Sequence, residues 1–127
     1  MKKFLIADDS DAKISMLEGM IKKAQFPAEI LIAKTTEEAV RIINEHPDIA
    51  FAFVDYEIPS ALGPAIISHL KETNPHTHVA LCSSGNSEEY QKNAMEAGAE
   101  EYICTSFGEE EVETRIGELL EKWKTAS

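Results

Sequence analysis

Two short apolar runs end in acid. Residues 4–7 run into Asp8 and Asp9, and residues 51–54 run into Asp55. A buried strand that stops on aspartate delivers a carboxylate to one edge of a sheet. If the two strands are parallel neighbours, all three carboxylates converge in one pocket. Like charges crowded together resist joint ionisation, so such a cluster calls for a cation, and that cation can assist chemistry on one of the acids. An acidic pair after an apolar run is, by itself, also an ordinary strand-end turn or helix cap. Asp55 in the same setting argues for a shared site.

The elements that must position these acids follow from hydrophobic periodicity, which alternates between short continuous runs and helical spacing. Strands are expected over residues 3–7, 29–33, 49–54, 79–82 and 102–104. Between them, residues 12–23 place Ile14, Leu17 and Ile21 on one face, and residues 36–45 do the same with Ala39, Val40 and Ile43. Pro64 suits the first position of a helix over 64–73. Ser87 with Glu88 and Glu89 reads as a cap, opening a helix that ends near Ala97-Gly98. The last helix, 109–124, has three glutamates at its start and Lys122 and Lys124 at its end, matching the macrodipole. Continuous apolar strands alternating with helices predict a parallel sheet covered on both faces, a three-layer doubly wound α/β domain over residues 1–127. In that architecture ligands bind beyond the carboxyl ends of the strands, where Asp8, Asp9 and Asp55 would stand.

Composition narrows the function. Twelve basic against 23 acidic residues give a net charge of -11, which argues against direct binding to nucleic acid or an anionic membrane. No apolar stretch approaches the roughly 20 residues of a membrane span. The start, Met1-Lys2-Lys3 and a brief apolar run, is too short for a secretory signal, so a cytoplasmic location is expected. Cys82 and Cys104 read as small core residues, and His76-Thr77-His78 lacks further ligands for zinc. Trp123, with Ile116, Leu119 and Leu120, reads as the buried stripe of the last helix.

These residues in this order resemble the receiver domain of two-component response regulators, over essentially the whole chain. The matching features are Asp8-Asp9, Asp55, the Ile58-Pro59 turn with Gly63, Ser83 with Ser84 behind it, and Ala97-Gly98-Ala99 before the strand carrying Tyr102. The resemblance implies a flavodoxin-like, CheY-like (βα)5 fold with a five-stranded parallel sheet in the order 2-1-3-4-5. It implies that Asp55 accepts a phosphoryl group from a partner histidine kinase or phosphotransfer protein. Asp9, Asp55 and the backbone carbonyl of Glu57 would bind Mg2+, with Asp8 holding a coordinated water; hard oxygen ligands suit that ion. Ser83 would hydrogen-bond the phosphoryl group, and Tyr102 would relay the change to a protein target on the face formed by the fourth helix, fifth sheet strand and fifth helix. Tyr102 reads equally well as half-buried packing, and Ser83 also reads as an ordinary strand-end polar residue.

The chain departs from the family where Lys-Pro is expected. Thr105 and Ser106 occupy those positions, and Phe107 keeps the register. Thr105 can donate a hydrogen bond but cannot neutralise charge, so the pocket is expected to lack a built-in cation and to lean more heavily on metal. Thr105 and Ser106 also support an alternative, a pseudo-receiver that acts as a protein-binding scaffold without phosphorylation. An aspartyl-phosphate phosphatase would need an aspartate two positions after the nucleophile, where this chain has Glu57. Enzymatic turnover beyond self-phosphotransfer and slow self-dephosphorylation is therefore not expected.

Overall fold

A computed structural model describes residues 1–126. Along the chain the elements are β1 (Lys2–Ala7), α1 (Asp11–Lys23), β2 (Ala28–Ala33), α2 (Thr36–Glu45), β3 (Ile49–Val54), β4 (Glu57–Ile58), β5 (Ala61–Leu62), α3 (Gly63–Thr73), β6 (His78–Ser83), α4 (Glu88–Ala97), β7 (Glu101–Cys104) and α5 (Glu109–Ala126). Five strands form one parallel sheet in the order β2-β1-β3-β6-β7. With the small β4–β5 hairpin set aside, this is the 2-1-3-4-5 order of a doubly wound fold.

Helices begin where the side chains can cap them. Ser10 Oγ accepts the Lys13 N–H at 3.2 Å, Thr35 the Glu38 N–H at 3.1 Å, and Ser87 the Tyr90 N–H at 3.0 Å. Each cap satisfies a donor that the first helical turn leaves free. The boundaries differ from the sequence expectations by only one or two residues. The exception is β4–β5, an antiparallel pair that reads from sequence as a plain turn. Two-residue strands flanking Pro59 and a left-handed Ser60 (φ 84°) carry no alternation by which they could be recognised.

Strand alternation sorts the core into two layers. Phe4, Ile6, Phe51 and Phe53 face α1 and α5, where they meet Ile14, Leu17, Ile116 and Trp123. Leu5, Ala52 and Val54 face the other way, toward Ile42, Ile43, Ile66, Ile67 and Leu70 of α2 and α3. The first layer is aromatic: Trp123 is fully buried and stacks on Phe51 with centroids 5.6 Å apart.

The same alternation, carried one step past each strand, sets the direction of the acids. Asp8 follows Phe4 and Ile6 in parity, and Asp55 follows Phe51 and Phe53, so both carboxylates leave the sheet on the α1 side. Ala7 stands opposite Val54, which makes Asp8 and Asp55 neighbours at the carboxyl edge. The ladder continues into them, with the Asp55 N–H bonded to the Ala7 carbonyl at 2.8 Å and the Asp8 N–H to Ala33 at 2.9 Å.

At the opposite edge, a buried indole needs a partner for its N–H. Trp123 Nε1 donates to Glu100 Oε2 at 2.9 Å, and Glu100 also pairs with His78 Nδ1. Burial pushes the Glu100 carboxyl up, but the Trp123 and His78 contacts outweigh it and hold the group below the ordinary 4.5. A depressed acid stabilises the fold fully above its unfolded value, and that contribution is lost as pH falls through the folded value. Glu100→Gln keeps an acceptor for the indole and removes the charge. We expect it to melt below the wild type at pH 7, with the two melting temperatures converging as pH falls through the lowered folded value of the carboxyl.

Candidate functional site

The three aspartates meet. Carboxylate oxygens of Asp8, Asp9 and Asp55 all lie within 4.8 Å of one another, with Asp8 buried, Asp55 half-buried and Asp9 exposed. Local turns orient two of them. Asp8 Oδ1 accepts the Ser10 N–H at 2.9 Å, and Asp55 Oδ1 accepts the Tyr56 N–H at 2.9 Å.

The expectation that this pocket lacks an internal cation is overturned. Lys13, from the first turn of α1, extends over the end of the sheet and places its Nζ 2.8 Å from Asp55 Oδ1 and 3.0 Å from Asp8 Oδ2, while also donating to the Cys82 carbonyl. Its side chain is 14% exposed. The sequence reading assigned no role to Lys13. The signal was present in its spacing, directly before Ile14 and four residues before Leu17, on the flank of the buried stripe. Recognising it required knowing that α1 covers the face onto which Asp8 and Asp55 project.

The electrostatics follow from this arrangement. Burial opposes the charge on Lys13, yet its hydrogen bond and attraction to Asp55, then its attraction to Asp8, hold its pKa above 10.5. Asp55 is nevertheless raised from 3.8: burial is the largest cause and Asp8 adds repulsion, against the opposing pull of Lys13 and the Tyr56 N–H. One ion pair thus favours charge on both partners, and only on the acid does desolvation prevail. Asp8 Oδ2 is buried and lies in ion-pair range of the ammonium, but accepts no well-aligned hydrogen bond. A buried carboxylate oxygen with spare acceptor capacity, set among two more acids, fits a hard divalent cation.

Around the acids the remaining candidates take up distinct places. Ser83 is buried at the end of β6, where its Oγ accepts the Gly85 N–H at 3.1 Å. Its carbonyl accepts the Thr105 N–H at 2.8 Å, which ties the end of β7 to the end of β6; the Thr105 side chain is partly exposed. Tyr102 is more deeply buried than half-buried packing would require, at 9% exposure, and its hydroxyl donates to the Gly85 carbonyl at 2.7 Å. The Glu57 side chain points outward and accepts from Tyr90 Oη at 2.7 Å, a bond that pushes the Tyr90 phenol up to about 12. Tyr90 in turn stacks on Tyr56, with centroids 3.7 Å apart, forming one wall of an open cleft lined also by Asp9, Pro59 and Leu62. A more apolar groove between α1 and α5, at Met20, Ala24 and Gly117, shares no residue with the acidic cluster.

The architecture is a doubly wound parallel sheet with three acids gathered at its carboxyl edge. The response regulator receiver domain model matches residues 4–117, and the chain belongs to that family. It is 31% identical over 123 residues to the chemotaxis protein CheY of Halobacterium salinarum, an alignment covering 94% of this chain and 97% of that one. It is 25% identical to the transcriptional regulatory protein CpxR of Klebsiella pneumoniae, where 96% of this chain spans half of the longer regulator. Among solved structures, the CheY-like receiver domain protein of Methanospirillum hungatei shares the fold, with a TM-score of 0.80 at 22% identity over 100% of this chain and 99% of that one. The protein is therefore a receiver domain of a two-component response regulator, with its aspartate cluster in place. No helix among the described residues is long and apolar enough to cross a membrane.

Gly63 opens α3 directly against the site. A Cβ there would lie 2.1 Å from the Asp55 carbonyl oxygen, and the Gly63 N–H donates to the Tyr56 carbonyl at 2.6 Å. Gly63→Ala is expected to force the Asp55–Tyr56 backbone to move, costing about 1–3 kcal/mol as overpacking does. Denaturant unfolding checks the stability.

Proposed function

We propose that the protein is a phospho-accepting receiver domain, residues 1–127 acting as one unit, in which Asp55 takes a phosphoryl group from the phosphohistidine of a partner kinase or phosphotransfer protein. The observation that carries this reading is the asymmetry of Asp55. Its hydrogen bonds from Lys13 and Tyr56 both fall on Oδ1, which leaves Oδ2 as the oxygen for attack. In the transfer, Asp55 Oδ2 forms a bond to phosphorus as the P–N bond of the phosphohistidine breaks. The electron pair of that bond stays on the departing imidazole, which takes up a proton from solvent. The product is an acyl phosphate at the open edge of the sheet.

Asp8, Asp9, Asp55 and the backbone carbonyl of Glu57 would hold Mg2+, which when bound supplies charge screening to the transferring group. Ser83 and Thr105 line the neighbouring strand ends, and their hydroxyls are the hydrogen-bond donors we assign to the phosphoryl oxygens. Tyr102 links this corner to the surface: its ring lies in β7 and its hydroxyl on the Gly85 carbonyl of the loop after β6. A shift of Ser83 toward a phosphoryl group would move that loop and with it the face of α4, β7 and α5, the surface we assign to a downstream protein target. Receiver domains are signalling modules rather than enzymes, and the chemistry proposed for this chain is limited to its own phosphorylation and slow dephosphorylation. The acidic surface disfavours nucleic acid as the direct partner, and the cytoplasm is the compartment that a kinase partner implies.

Incubation of the full chain with acetyl phosphate and Mg2+, read by intact mass, tests the proposal. We expect one phosphoryl adduct in the wild type and none in Asp55→Asn. Absence of an adduct in the wild type would favour the phosphorylation-independent scaffold. Millimolar Mg2+ should also raise the wild-type melting temperature at pH 7, because a ligand of the native state alone stabilises it.

A further inference from the structure

Lys13 stands in a place that helix formation alone disfavours. It is the third residue of α1, and the positive end of the helix macrodipole favours acids there rather than cations. Helical side chains lean toward the N-terminus, so from this position the stem of Lys13 runs back over the end of β1 toward the acids. An ammonium has three N–H groups, and three oxygens surround this one: Asp55 Oδ1, Asp8 Oδ2 and the Cys82 carbonyl. The Cys82 carbonyl belongs to the peptide that leads into Ser83. The ammonium therefore bridges from the acceptor carboxylate to the strand end that carries the hydroxyl.

The loop after β7 offers no charge at this corner. Thr105 and Ser106 are neutral, and the Thr105 backbone is occupied in holding β7 to β6. With three ionised carboxylates and one ammonium, the cluster carries two net negative charges, which one divalent cation would balance. Lysine's long flexible stem allows its head to pass from Asp55 Oδ1 to an oxygen of a group newly bonded to Asp55 by a small displacement. The contact to Asp8 Oδ2, close but poorly aligned, is the one most easily given up.

We propose that Lys13 supplies, from α1, the cation that the loop after β7 lacks, and that its ammonium binds and positions the phosphoryl group arriving at Asp55. This rests on the phospho-acceptor reading of the site. It makes α1, rather than the end of β7, the element that contributes fixed positive charge to the transfer.

The test uses the full-length chain with acetyl phosphate and Mg2+, comparing wild type, K13M and the double variant K13M/T105K. Adduct formation followed by intact mass should slow on the order of 10- to 100-fold in K13M, the loss expected for one hydrogen bond to a charged group. Restoring a lysine at position 105 in the double variant should recover most of that rate. A second readout is independent of phosphotransfer: the Mg2+ concentration at the midpoint of the melting-temperature rise. It should fall about tenfold in K13M, because the metal no longer shares Asp8 and Asp55 with an ammonium. Wild-type rate and an unchanged Mg2+ midpoint in K13M would overturn the inference while leaving the phospho-acceptor function intact. A slow K13M that T105K does not rescue would overturn the relocation of the cation. No adduct in the wild type would remove the functional reading and this inference together. Should K13M not fold, K13Q, which keeps a donor without charge, carries the same expectations.

Discussion

Repulsion among three carboxylates at one edge of the sheet is the constraint on which the rest of this molecule depends. Two unit charges 4.8 Å apart repel by about 3 kcal/mol at the effective dielectric of a protein surface. A domain of this size is stable by only about 5–15 kcal/mol, so an uncompensated cluster would consume much of that margin. The fold answers with an ammonium inside the cluster and with backbone N–H groups aimed at Asp8 and Asp55. What remains is an acidic site held partly, not wholly, neutral. That residue of negative charge is what gives a divalent ion a reason to bind.

The scaffold keeps these charges from relaxing apart. The acids extend the hydrogen-bond ladder one residue beyond β1 and β3, so their Cα positions are fixed by the sheet itself. Gly63 lets α3 begin against the Asp55 carbonyl, and the stacked Tyr56 and Tyr90 rings close one side of the cleft. Electrostatic strain is thus borne by rigid elements, while Asp9, the most exposed acid, keeps the site open to solvent.

The sheet side chains Phe4, Phe51 and Phe53 pack beneath α1 and α5 against Trp123 of α5, and the indole N–H is met by Glu100 at the edge away from the acids. The charged cluster thus stands at the carboxyl edge of the sheet and the indole–carboxylate contact at the amino edge. This is the division that a parallel doubly wound sheet imposes, since all its strands end on the same side.

That Asp8 and Asp55 meet was a conditional reading, dependent on β1 and β3 being neighbours as the resemblance implied. The order of helices and strands and their boundaries to within a residue or two were readable from apolar runs and caps, because those signals are local in the chain. The β4–β5 hairpin was not, since two-residue strands have no periodicity to detect. Nor was Lys13: as a charged residue in the first turn of an amphipathic helix, it looks like any solvated side chain. Its role is set by three non-local facts, namely the parity that turns Asp8 and Asp55 toward α1, the register that makes them neighbours, and the packing of α1 over that face. The missing lysine near position 105 is visible in the chain, but the cation standing in its place emerges only when the sheet brings residues 8, 13, 55 and 82 together, because electrostatic compensation acts through distance in space rather than along the backbone.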